Sequence, residues 1–149
     1  MSKVPILSDM RKSMPWMAVL VWMIVILIFS TDYFSDARTT APLFTSSTSN
    51  AIRKLAHWGE YFVLAVLLIR ALNSRSVGII PKRRILIAVM FAAVYAGIDE
   101  WHQSFVPSRD ATTRDVLIDA LGAFCGASSI YVYAATKQVK TGAEASIPS

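Results

Sequence analysis

The sequence has very few metal-ligating side chains, with one cysteine and two histidines in 149 residues. A single thiol excludes an intrachain disulfide. Cys125 lies inside an apolar run, where we expect it to be a small buried hydrophobic residue. One cysteine and two histidines are too few for a zinc-finger type of site. The composition therefore predicts no metal of this type and gives no indication of a cofactor.

Charge is also missing from long parts of the chain. Residues 13–31 carry none, and largely apolar runs cover 52–72, 85–105 and 115–136. A helix of about 20 apolar residues spans the hydrocarbon core of a bilayer. A soluble protein of this size could not bury four such runs in its core. We therefore predict an all-α fold, an integral membrane bundle of four transmembrane helices.

The net charge of +5 does not indicate a nucleic-acid partner, because the basic residues punctuate the apolar runs and form no single basic face. Their distribution instead predicts orientation by the positive-inside rule. Of the 15 Lys and Arg residues, ten fall on the side of the N-terminus and five on the other side. Both termini are therefore predicted to be cytoplasmic.

This topology divides the chain into a cytoplasmic segment (1–12), a transmembrane domain (13–136) and a cytoplasmic tail (137–149) that we expect to be disordered. The basic N-terminus followed by an apolar run is similar to a signal peptide. No small-residue cleavage site follows it, so we predict a retained helix. This first helix has almost no polar content, and we expect it only to pack against the others.

Ionisable residues gather at one end of the other three helices. In the predicted orientation, the second and fourth helices enter from outside and the third exits there, so these residues share outer-leaflet depth. A charge costs at least ~2.5–3.5 kcal/mol at the membrane centre, so such groups should face one another. The set comprises Lys54, His57, Glu60, Tyr61, Asp99, Glu100, Gln103, Asp115 and Asp119.

Two interpretations of this set stay open. It could be a network that only holds the bundle together, with Lys54 paired to Glu60 or Asp99 and His57 paired to Asp119. It could instead be a polar pocket, which we favour because ionisable groups inside a membrane are by default a functional hypothesis.

In the pocket interpretation, His57 or Glu60 could act as a general base. Arg109 and Arg114 could hold a phosphate head group through forked hydrogen bonds. A metal site of carboxylates and imidazole is a weaker alternative, because the spacing matches no metalloenzyme motif. The candidate catalytic residues are His57, Glu60, Asp99, Glu100 and Asp115. The candidate substrate-binding residues are Lys54, Tyr61, Gln103, Arg109, Arg114 and Asp119.

Three motifs in this region resemble those of the VanZ-like membrane proteins, and they span residues 54–126. In chain order they are Lys54-x-x-His57-x-x-Glu60-Tyr61, then Asp99-Glu100-x-x-Gln103-x-Phe105-x-Pro107-x-Arg109, then Asp115 with Gly122 and Gly126. The chain departs from the family pattern at Asp119, where Asn is usual, and at Ser108, where Gly is frequent.

The resemblance implies a multi-pass protein of the cytoplasmic (inner) membrane of a bacterial cell. The name-giving member of the family is associated with low-level resistance to the glycopeptide teicoplanin, so a link to glycopeptide susceptibility is an expectation. The expected partners are membrane lipids or a lipid-linked envelope precursor, and a homo-oligomer is left open.

The leading functional hypothesis is a protein that binds or modifies an envelope lipid or glycolipid, with enzyme activity left open. The first alternative is a structural or assembly subunit. The second is a lipid phosphatase, faintly suggested by the spacing from Ser108-Arg109 to Asp115 and Asp119, although the catalytic histidine and the companion Pro-Ser-Gly-His motif are missing. The last is a proton-coupled transporter, which would need a homodimer to reach eight helices.

Overall fold

The computed structural model describes residues 5–31, 46–74, 80–106 and 112–145, and within these ranges the regular structure is entirely helical. Each helix contains a segment long and apolar enough to cross a membrane. The predicted all-α bundle of four spanning helices is thereby confirmed. The helices are α1 (Pro5–Ser30), α2 (Ser46–Asn73), α3 (Lys82–Gln103) and α4 (Thr113–Ala145).

The main difference from the predicted boundaries lies at the end of α4. We expected disorder from residue 137, but the helix continues to Ala145. Lys, Gln, Ala and Glu are good helix formers, and extending an existing helix avoids the cost of nucleation. The beginning of α3 also has a clear cause. Pro81 is extended, with φ −63° and ψ 137°, and its carbonyl accepts the backbone N–H of Arg84 at 2.8 Å.

The most extensive helix contact is between α2 and α4. A Cβ atom added at Gly122 would lie 3.0 Å from the carbonyl carbon of Trp58, and one at Gly126 would lie 3.0 Å from that of Phe62. The neighbouring carbonyl oxygens would be closer still. The small-xxx-small pair therefore permits backbone contact between two membrane helices, as its spacing predicts.

Side chains also fasten α1 to the bundle through backbone acceptors. The indole Nε1–H of Trp22 donates to the carbonyl oxygen of Glu60 in α2 at 2.9 Å. The hydroxyl of Tyr95 in α3 donates to the carbonyl oxygen of Met23 at 2.7 Å. In both bonds, the polar group of a largely apolar side chain donates to a main-chain oxygen. Aromatic residues can therefore pack in the interior without an unsatisfied donor.

Seven of the 15 buried apolar residues in the described part of the chain are alanines, and many large apolar side chains point outward. Ala88, Ala92, Ala96, Ala123 and Ala127 are all fully buried. The exposed side chains include Leu20, Ile24, Val94 and Phe124. This arrangement is typical of a bundle whose outer surface faces lipid, where apolar exposure costs little.

The prediction of a buried Cys125 is wrong, because the thiol is exposed. Its neighbours Leu121 and Phe124 are exposed as well, whereas Gly122 and Gly126 are buried. Cys125 therefore lies on the face of α4 that points away from α2. An apolar run in a membrane helix can face lipid as readily as protein, so the run alone did not fix the burial of the thiol.

A matched pair of glycine substitutions tests the contact between α2 and α4. Gly122→Ala should destabilise the protein by about 1–3 kcal/mol, the usual cost of overpacking, because the new methyl group meets the Trp58 backbone. Gly97→Ala in α3 is the control. A Cβ there meets nothing within 4 Å, so we expect unchanged stability or a gain of up to about 1 kcal/mol. Thermal unfolding midpoints in detergent measure both effects. Equal midpoints for the two variants would contradict the packing described here.

Candidate functional site

The polar residues meet at one end of the bundle, where α1 and α3 end and α2 and α4 begin. We call this the polar end. All four helices contribute to it, because the Ser30 side chain at the end of α1 hydrogen bonds to Asp99 near the end of α3. The sequence predicted contributions from three helices only. Ser30 was missed because one hydroxyl at the end of an apolar helix is a weak signal on its own.

Part of the polar end is a buried, hydrogen-bonded group, which we call the clamp. It consists of Ser30, Asp99 and Gln103. The Ser30 hydroxyl donates to Asp99 Oδ2 at 2.8 Å, and Gln103 Nε2 donates to the same oxygen at 2.9 Å. Gln103 Nε2 also lies 3.2 Å from Ser30 Oγ. All three side chains are buried. The clamp joins α1 to α3 and gives one carboxylate oxygen two donors.

A second group faces the clamp from α2 and α4. His57 Nδ1 lies 3.3 Å from Glu60 Oε2, one turn along α2. Both groups are within electrostatic range of Asp119 in α4, and His57 is also within range of Asp99. The contact described for His57 is with Glu60 within α2, and the pairing of His57 with Asp119 stays a prediction.

Three buried oxygen atoms in this region have neither a hydrogen-bond partner nor an ion-pair contact among the described residues. They are the Tyr61 hydroxyl, Asp99 Oδ1 and Asp119 Oδ1. Tyr61 is 0% exposed and is within electrostatic range of both aspartates. Buried polar atoms in proteins are nearly always paired, and an unpaired one needs an explanation such as an unseen water, an ion or a functional role. These three atoms are the least satisfied part of the polar end.

The rim of the polar end is an ion pair at the start of α4. The Lys54 ammonium group contacts the Asp115 carboxylate, and the Thr112 hydroxyl donates to Asp115 Oδ2 at 2.9 Å. The structural-network interpretation paired Lys54 with Glu60 or Asp99, whereas the contact described is with Asp115. Lys54 lies nearer the end of the bundle than either of them, so the acidic group at its own level is Asp115 in the first turn of α4. A carboxylate there also interacts favourably with the helix dipole.

Glu100 fastens the end of α3 to the start of α4. Its Oε1 accepts the backbone N–H of Thr112 at 2.5 Å, just before α4 begins at Thr113. The first N–H groups of a helix have no partner within the helix, so a carboxylate from a neighbouring helix can cap them. Glu100 therefore has a structural contact in addition to its predicted catalytic candidacy, which stays a prediction.

Exposure falls steadily from the rim to the clamp. The side chains of Lys54 and Asp115 are 44% and 23% exposed, and those of His57 and Glu60 are each 15% exposed. Asp119 and Asp99 are nearly inaccessible. We call this series of polar side chains, ordered from the exposed rim to the buried oxygen atoms, the path.

Two of the predicted binding residues do not take part in the described contacts of this path. Arg114 is exposed in the first turn of α4, and Arg109 lies outside the described residues. No three His, Cys, Asp or Glu side chains within the described ranges are grouped so that they could hold a metal ion. Most of the buried ionisable side chains of the path are carboxylates.

Two serine substitutions test the clamp. Ser30→Ala removes one of the two donors to Asp99 Oδ2 and should destabilise the protein by about 1 kcal/mol, near the upper range for hydrogen bonds between membrane helices. Ser129→Ala is the control, because that hydroxyl bonds only to the Gly126 carbonyl within α4. We expect a change of less than about 0.5 kcal/mol there. Equilibrium unfolding in detergent compares the two, and a Ser30→Ala variant as stable as the control would argue against the clamp.

A model of the VanZ/LLP1 family matches residues 15–134. This range contains all of α2 and α3, α1 without its first turns, and most of α4. No curated protein and no solved structure matches the chain. The matched residues include the whole of the polar end and both glycines of the contact between α2 and α4. The chain belongs to the VanZ/LLP1 family of membrane proteins.

Proposed function

We propose that the polar end binds an envelope lipid or glycolipid in the cytoplasmic membrane of a bacterial cell. The observation that carries this proposal is a set of three buried oxygen atoms that have no partner among the described residues and lie beyond a series of partly exposed polar side chains. Unpaired buried polar atoms cost free energy, so a purely structural network would be expected to satisfy them. A bound head group would supply the missing partners.

The proposed depth follows from charge. If the N-terminus is cytoplasmic, as the distribution of Lys and Arg favours, the polar end lies at the level of the outer leaflet. A lipid head group could then reach the rim from the membrane surface, while its acyl chains stay against the exposed apolar faces of the helices. We propose a lipid-linked precursor or a membrane lipid as the partner, and a role in glycopeptide susceptibility as its consequence.

The residues of the path have different roles in the proposed binding of a head group. His57 and Glu60 stand between the rim and the unpaired oxygen atoms, where they could touch the head group directly. Either could also act as a general base if the head group is modified and not only bound. Arg114, exposed at the start of α4, and Arg109 could neutralise a phosphate at the membrane surface.

A second candidate function is a structural or assembly subunit, and the clamp favours it. Ser30, Asp99 and Gln103 are buried and hydrogen bond to one another, as in a network that holds the fold. The two candidates predict different roles for different residues. In a binding protein, Asp119 acts on the occupant while the clamp supports the fold. In a structural subunit, both act on the fold alone.

Conservative substitutions scored for membrane abundance and for envelope phenotype separate the two functions. Asp119→Asn and Glu60→Gln should keep abundance near that of the wild type and lose the phenotype, because their side chains have few partners within the bundle. Ser30→Ala should lower both together. The phenotype is glycopeptide sensitivity in a deletion strain complemented by each variant.

Gly97→Ala serves as the neutral control for expression in the same strain. If Asp119→Asn and Glu60→Gln reduce abundance in proportion to the phenotype, the polar end holds the fold and the lipid proposal fails. If every variant retains both, the polar end has no role in the phenotype measured.

A further inference from the structure

The buried part of the polar end has more acidic groups than basic ones among the described residues. Most basic groups at this end, Arg53, Lys54, His102 and Arg114, are partly or fully exposed, and Lys54 contacts Asp115 at the rim. The carboxyl groups farther in are those of Glu60, Asp99, Glu100 and Asp119. The interior of the cluster therefore has one basic group, His57, facing four carboxyl groups.

Such an excess of acid is costly in the low-dielectric interior of a membrane bundle. A buried carboxylate needs a cation, a proton or several hydrogen-bond donors to offset its loss of hydration. The clamp supplies donors to one oxygen of Asp99 only. Asp99 Oδ1 and Asp119 Oδ1 have no donor among the described residues.

The unpaired atoms also share one chemical character. Two are carboxylate oxygens, which accept hydrogen bonds, and the third is the phenol oxygen of Tyr61, which can accept as well as donate. Tyr61 is fully buried and within electrostatic range of Asp99, Asp119 and Glu60. Among the described residues, the cluster therefore has too few hydrogen-bond donors and too little positive charge for its acceptors.

We propose that the deep part of the polar end binds the ammonium group of an amine-bearing lipid head group, with Asp119, Asp99 Oδ1 and the Tyr61 hydroxyl as its acceptors. This inference rests on the proposed lipid-binding function and narrows its substrate class. A primary ammonium group carries three N–H donors, one for each of the three acceptor atoms, and its positive charge offsets part of the acidic excess. An anionic phosphate would be repelled at this depth and would stay at the rim, near Lys54 and the exposed Arg114.

Asp119 is the residue on which the assignment depends most. It is 3% exposed, it faces Asp99 and Glu60 across the bundle, and its Oδ1 is unpaired within the described ranges. The charge of its carboxylate gives the site a reason to prefer a cationic donor over a neutral hydroxyl group.

The test is calorimetric titration of the purified full-length protein in detergent with short-chain lipids. Dihexanoyl phosphatidylethanolamine supplies a primary ammonium group, and dihexanoyl phosphatidylcholine keeps the charge but has no N–H donor. Dihexanoyl phosphatidylglycerol has hydroxyl groups and no amine, and free ethanolamine has the amine without the lipid. We expect the ethanolamine lipid to bind at least about 10-fold more tightly than the other two lipids, the factor typical of a lost charged hydrogen bond.

Variants then assign the binding to the residues. Asp119→Asn should weaken binding of the ethanolamine lipid by about 10-fold and remove its advantage over the glycerol lipid. Tyr61→Phe should weaken it less and leave the unfolding midpoint unchanged, because the hydroxyl has no partner among the described residues. Tyr95→Phe is the matched control. It should lower the midpoint, because its hydroxyl bonds to the Met23 carbonyl, and leave the affinity unchanged.

The outcomes separate this inference from the function on which it rests. Equal binding of the ethanolamine and glycerol lipids, weakened alike by Tyr61→Phe, would keep the lipid site and overturn the ammonium assignment. Free ethanolamine binding as tightly as the lipid would keep the ammonium group and overturn the lipid as its source. No binding of any lipid to the wild-type protein would overturn both proposals. Protons bound to the carboxyl groups would then be what neutralises the acidic excess.

Discussion

Gly122 and Gly126 bring the backbones of α2 and α4 into contact, and the geometry of the polar end depends on that distance. Asp119 lies one turn before Gly122, and the carbonyl that Gly122 meets belongs to Trp58, next to His57. A larger residue at either glycine would separate the two helices. The acidic group of α4 would then move away from the histidine, glutamate and tyrosine of α2. The two glycines thus determine how closely the acidic group of α4 approaches the three polar side chains of α2.

Much of the fold follows from the sequence because lipid imposes a simple rule. A spanning segment needs a long apolar helix, so the four helices and the level of their polar residues could be predicted. The partner of Lys54 could not be predicted, because the sequence places several acidic groups near the same end of the bundle. Only the packing shows that Asp115 is the one in contact. Ser30 was missed for a related reason, since one hydroxyl becomes informative only when an acceptor faces it. The exposed face of Cys125 and the extended end of α4 depend on helix rotation and length, which hydropathy does not encode.

The polar end combines satisfied and unsatisfied groups within a short distance, and Asp99 belongs to both. One of its oxygens accepts two donors of the clamp, while the other has none within the described ranges. Holding one side of a carboxylate fixes the direction of the other side. Precise orientation of an acceptor before its partner arrives reduces the entropy lost on binding. The clamp can therefore serve the fold and still prepare the site.

Two of the bonds that fasten α1 end on main-chain oxygen atoms, those of Glu60 and Met23. A carbonyl oxygen is present whatever side chain the residue carries. The bond from Trp22 is consequently insensitive to the identity of residue 60, although that residue lies in the middle of the polar path. Substitution at this position can therefore change the chemistry of the polar end and keep the hydrogen bond that joins α1 to α2.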